Sequence, residues 1–163
     1  MKFLMILFTS LMILSCASHQ TKNQYSQIEY QAGACFGSCP IFKMTINPDK
    51  TAIFEAEHFN FSKNFSKGEF DKPREGTFTG TIKEEDYQKL TQLLDALEVK
   101  NLDEKYGNRN VTDMATSYLT IKFNDGTEKK VEDYGKKGSE KLIELYRFFE
   151  DLRHNQDWKK TES

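Results

Sequence analysis

Histidine is scarce in this chain. His19, His58 and His154 are widely separated among 163 residues, so no H-E-x-x-H zinc pattern exists. There is also no glycine-rich phosphate loop, no G-x-S-x-G elbow and no EF-hand loop. Asp103, Glu104, Asp113 and Asp133 are scattered carboxylates and read as surface groups rather than as an acid–base pair. A conventional hydrolase is therefore excluded, and the expectation is a protein without a catalytic centre. A strongly basic face is missing too. Lys and Arg total 23 against 25 acids, and the basic pairs Lys129-Lys130, Lys136-Lys137 and Lys159-Lys160 lie among acids. That balance speaks against nucleic acid as a partner.

Long apolar runs are absent except at the start. "MKFLMILFTSLMILS" carries one charge, Lys2, ahead of an apolar segment too short for a resident membrane span. It has the layout of a signal peptide, residues 1–15. The end, Ile13-Leu14-Ser15-Cys16, resembles the lipobox of bacterial lipoproteins. The resemblance implies cleavage before Cys16, acylation of its sulfur and amine, and a palmitate-type anchor in the cell envelope. Residue 18 is Ser rather than Asp, so nothing resembles an inner-membrane retention signal, and the outer membrane is the expected address. Residues 16–27 are polar and aperiodic and read as a lipidated tether.

What remains is one domain's length, residues 28–154, with a tail, 155–163, expected to fray. Alternation marks strands at 27–32, 41–46, 51–59, 77–82, 117–123 and 127–134. Phe42, Met44 and Ile46 share one face, as do Leu119, Ile121 and Phe123. Asn47-Pro48-Asp49-Lys50 and Asp125-Gly126 supply turn chemistry. Helical spacing takes over at Tyr87, Leu90, Leu94 and Leu97, and again at Leu142, Leu145, Phe149 and Leu152, with Ser139 placed to cap the second helix. The order ββββαββα predicts an α+β fold: an antiparallel sheet of about five to six strands with two amphipathic helices on one face.

Between the third and fourth strands lies "NFSKNFSK", residues 60 to 67, a tandem repeat in an unusually aromatic connection. Its alternate Phe side chains extend the strands into the core, or Phe59, Phe61 and Phe65 form an exposed partner-binding patch.

Three cysteines leave one over in an exported protein. Lipidation accounts for Cys16, so Cys35 and Cys39 remain as a pair where disulfides form. Extended residues i and i+4 lie too far apart to be bridged, so Phe36-Gly37-Ser38 must turn; Gly37 suits the turn and Pro40 directs Cys39 into the next strand. A structural Cys35–Cys39 disulfide is the first reading. Two alternatives stand beside it. One is a thiol-redox pair, although a strand follows the motif where a helix would lower a thiol pKa. The other is a copper(I) site of Cys35 and Cys39 with His58, Met44 being a further soft donor, because C-x-x-x-C-P resembles the motif of Sco-type copper chaperones.

"CFGSCPIFKMTI", then "TFTGTIKEEDYQKLTQLL", then "KYGNRNVTDMATSYLTIKF" and a last amphipathic helix, resemble an uncharacterised bacterial envelope family, domain-of-unknown-function family 6438. Its mark is a C-F-G-x-C-P-x-[YF] signature. The resemblance spans about residues 28–152, with Cys35, Gly37, Cys39, Pro40 and Asp113 at marked positions, Asp113 reading as an N-terminal turn cap. It implies no activity, ligand or catalytic residue. The expected role is thus a lipid-anchored envelope binding module with membrane and protein partners and no cofactor.

Overall fold

A computed structural model describes residues 23–57, 60 and 76–161. The signal peptide, Cys16, His19, His58 and the aromatics Phe59, Phe61 and Phe65 lie outside the described residues.

The strands are β1 (Tyr25–Ala32), β2 (Phe42–Ile46), β3 (Thr51–Ala56), β4 (Gly76–Thr81), β5 (Lys105–Tyr106), β6 (Thr116–Phe123), β7 (Glu128–Tyr134) and β8 (Lys159–Lys160). The helices are α1 (Glu84–Leu97) and α2 (Glu140–Asn155). Among the described residues they build one eight-stranded sheet in the order β5-β7-β6-β1-β2-β3-β4-β8. The fold is α+β as expected, but the sheet is wider than five to six strands and is mixed, because β5 runs parallel to β7. Both added strands are two residues long, too short to show alternation.

Two chain boundaries also move. β1 begins at Tyr25, inside the expected tether, and that ring is buried beside Phe123. The tail does not fray through residue 161. Trp158 packs on Phe54 at 5.1 Å between ring centres, and its Nε1 donates to the Leu152 carbonyl at 3.0 Å. That contact holds Lys159 and Lys160 against β4.

Alternation determines which face is buried. Phe42, Met44 and Ile46 on β2, Phe54 on β3 and Leu119 and Ile121 on β6 are all essentially inaccessible. Both helices lie on this side and run antiparallel to one another. Lys83 at the start of α1 donates to Asn155 and Gln156 at the end of α2, while Lys141 at the start of α2 reaches the Ala96 carbonyl. The Ser139 hydroxyl caps α2 by accepting from the Leu142 N–H at 3.2 Å. Across the sheet α2 stacks Tyr146 and Phe149 on Tyr30, then sets Arg153 over the Phe42 ring at 5.1 Å.

The register defines two poles. Ala32, Phe42, Ala56 and Gly76 are aligned at one end, where β1 passes into the cysteine loop. Asn23 and Gln24 are held at the other end, by Tyr87, Asp95 and Asn124. The eight residues of β1 separate the two by about 25 Å.

Candidate functional site

The chain between β1 and β2 starts with a close approach. The Gly33 N–H donates to the Thr116 carbonyl at 2.8 Å, and a Cβ on Gly33 would stand 3.1 Å from that oxygen. Cys35 and Cys39 are joined as a disulfide with Cα atoms 5.8 Å apart. Gly37 sits inside this ring at φ 135°, a conformation that disfavours any side chain. On its far side the loop is fixed through Ile41, whose carbonyl accepts from the Glu57 N–H at 2.9 Å and from Asn60 Nδ2 at 2.8 Å. Arg153 in turn donates to the Asn60 carbonyl at 3.0 Å.

Asp113 caps neither helix, whose N-terminal positions are held by Lys83 and Ser139. It lies in the loop before β6 at φ 69°, and its carbonyl accepts the Phe36 N–H at 3.1 Å. Asp113 therefore buttresses the cysteine loop through its backbone. Tyr134 steadies the buttress: its hydroxyl donates to the Val111 carbonyl at 2.6 Å and accepts from the Met114 N–H. With its backbone held at both ends, the cysteine loop leaves the Phe36 ring 88% exposed.

Beside this loop opens a cleft of about 260 Å³. Ala32, Cys39, Pro40, Met114 and Ala115 are among its lining residues, and the lining is largely apolar. Lys136 and Glu150, an ion pair, stand at its margin, and the Ser117 hydroxyl marks its inner end. Behind Ser117 lies a buried polar cluster. Ser117 Oγ and the Tyr30 hydroxyl share a hydrogen bond of 3.2 Å. Asp133 is fully buried and accepts from the Lys137 and Gly138 N–H groups at 2.6 and 3.0 Å. The expectation that Asp133 is a surface carboxylate is thus wrong: it shares a face of β7 with buried Val131, and the turn into α2 closes over it. The Tyr146 hydroxyl is buried and faces this carboxylate. Burial raises the Tyr30 and Tyr146 phenols well above their ordinary pKa, and the Asp133 charge raises both further.

Of the sequence-predicted site residues, Cys35, Gly37, Cys39 and Pro40 come together here, and Cys39 and Pro40 face the cleft. Cys16, His58, Phe59, Phe61 and Phe65 lie outside the described residues. Met44 is buried in the core, away from any exposed donor set. Among the described residues no group of three His, Cys, Asp or Glu side chains is placed to hold a metal ion. Sequence reasoning missed Phe36 as an exposed ring, and Ser117, Asp133 and Tyr146 as a buried polar cluster. The available signal was in β6, where Ser117 continues the apolar stripe of Leu119, Ile121 and Phe123, and in β7, where Asp133 follows Val131 on the same face.

The described residues thus form an α+β domain whose disulfide-stapled loop stands beside a shallow, largely apolar cleft. Residues 26–153 match the domain of unknown function DUF6438, and the chain belongs to that family. No curated protein matches it.

Proposed function

We propose that this protein is a lipid-anchored module of the bacterial cell envelope, held in the outer membrane through Cys16, that binds a protein partner without catalysing a reaction. The observation that carries the binding role is Phe36: an almost fully exposed aromatic ring on a loop fixed by a disulfide and by Asp113, next to an apolar cleft. Binding energy concentrates in such aromatic anchors, and a loop ordered in advance loses little entropy when it docks. The lipobox-like end of the signal segment supports the anchor. The layout of the domain supports it too, since the chain enters at the pole opposite the cysteine loop and the anchored module would hold Phe36 away from the lipid.

Labelling cells with an alkynyl fatty acid tests the anchor. The full chain is expected to take up label and sediment with membranes, and Cys16→Ser to lose both; label retained in Cys16→Ser overturns the anchor. Treating intact envelopes with an amine-reactive crosslinker tests the binding role, because Lys136 lines the cleft. Discrete higher-mass species are expected from the native chain and not from Phe36→Ala. Identical patterns from both would remove the basis of the reading.

A further inference from the structure

The Phe36 backbone is only as well placed as the carbonyl that holds it. Phe36, Gly37 and Ser38 form the interior of the disulfide loop, and Gly37 stands in open space. Among the described residues, one hydrogen bond ties this interior to the rest of the domain, from the Phe36 N–H to the Asp113 carbonyl at 3.1 Å. The direction of that carbonyl therefore decides where Phe36 sits.

Asp113 stands at φ 69°, a conformation uncommon for a residue with a side chain. Such a backbone persists where its surroundings over-determine it. Val111 and Met114 bracket it, and one hydroxyl fixes both. Tyr134 donates to the Val111 carbonyl at 2.6 Å and accepts the Met114 N–H at 3.3 Å. The earlier part of the loop lies against the same residue. A Cβ on Gly107 would stand 2.0 Å from the Tyr134 carbonyl oxygen, and Arg109 lies over the Tyr134 ring at 5.0 Å while pairing with Glu132. Tyr134 is itself buried in β7 and pairs with Thr116 on β6, so its hydroxyl is presented from the sheet.

We infer that Tyr134 is a positioning residue for the partner contact made by Phe36. Its hydroxyl clamps the loop at Val111 and Met114, the clamp aims the Asp113 carbonyl, and that carbonyl fixes the Phe36 backbone. The inference rests on the reading of Phe36 as the binding anchor and adds the group that readies it. The disulfide and the clamp are complementary fastenings: one closes the loop, and the other ties it to the sheet.

Tyr134→Phe in the full chain tests this, because it removes the hydroxyl and keeps the ring beneath Arg109. The readout is amide exchange followed residue by residue. The Phe36 N–H is not bonded to Tyr134, so it responds only if the clamp is transmitted through Asp113. Its exchange is expected to accelerate roughly tenfold, the upper range for loss of one hydrogen bond. Leu119 and Ile121 in β6 should change by less than about twofold, because local opening leaves the core closed. Equal acceleration at Leu119 would show that Tyr134 serves global stability alone, and an unchanged Phe36 amide would show that the clamp is not transmitted. Either result overturns the inference. In envelopes, Tyr134→Phe is expected to lower the yield of the Phe36-dependent crosslinked species at an equal amount of chain, and an undiminished yield would also overturn it. Crosslinked species indifferent to Phe36→Ala would overturn the binding reading and this inference with it. A failure at the Phe36 amide alone would overturn only the clamp and leave the binding reading standing.

Discussion

The cysteine pair shows at the level of single residues what a small ring accomplishes. Closing a loop of about five residues restricts the unfolded chain modestly, worth about 2 kcal/mol by the chain-entropy relation. The structural value is local, since the bond and the Asp113 carbonyl together fix the Phe36 backbone. Replacing both cysteines (Cys35→Ser with Cys39→Ser) is therefore expected to cost about 2 kcal/mol in urea unfolding with an unchanged slope. The crosslinked species that depend on Phe36 should also disappear. The same residues decide the copper and redox alternatives. A disulfide offers no thiolate, so copper(I) binding requires prior reduction. Native-mass measurement should find the chain two hydrogen atoms lighter than its fully reduced form, without copper, and resistant to mild reductant. Ready reduction followed by tight copper uptake would favour the alternative. The staple was legible from Cys35, Gly37, Cys39 and Pro40. The outward ring was not, because nothing in local sequence says which side chain of a turn lacks a neighbour.

Secondary-structure elements were legible where an apolar period ran long enough to be seen. The six longer strands and both helices announce themselves by alternation or by helical stripes, and Ser139 caps α2 as its position implies. β5 and β8 carry no such period. Lys159 and Lys160 are exposed and form a strand only because a tertiary contact brings them to β4. That contact is Trp158, whose ring lies on Phe54 and against Gly80, where an added Cβ would stand 3.0 Å from it. Lysines on a short edge strand also discourage further strand addition. Trp158→Ala is expected to destabilise the domain by about 2–3 kcal/mol, the lower range for loss of a large aromatic, since the ring is partly exposed. Amide exchange should show β8 and the outer edge of β4 losing protection. Lys159→Ser with Lys160→Ser should shift stability by under about 0.5 kcal/mol. Equal losses in the two variants would show that the lysines, rather than the indole, hold the edge.

For the molecule as a whole, the core combines hydrocarbon packing with buried phenols, and this makes its stability depend on pH in one direction. Tyr25, Tyr30 and Tyr146 are all buried, and burial is the largest cause raising each phenol above the ordinary value of 10.0. Below pH 10 both folded and unfolded states keep these protons, so the groups contribute no pH dependence there. Above pH 10 the unfolded chain releases them and the folded chain does not, so stability falls, by about 1.4 kcal/mol per pH unit for each such tyrosine, until the folded pKa is reached. Chemical denaturation from neutral to alkaline pH should therefore show a decline beginning near pH 10, and phenolate absorbance should rise in a late step that coincides with unfolding. Tyr146 allows the cause to be isolated. Its hydroxyl is buried beside the Asp133 carboxylate, whose charge adds to the burial that opposes its ionisation. Tyr146→Phe keeps the ring that stacks on Tyr30. It is expected to change stability at neutral pH by no more than about 1 kcal/mol and to remove one tyrosine's share of the alkaline slope. A loss above about 1 kcal/mol in that variant would mean that the hydroxyl is bonded in the folded protein, and that the cluster behind the cleft is a closed network.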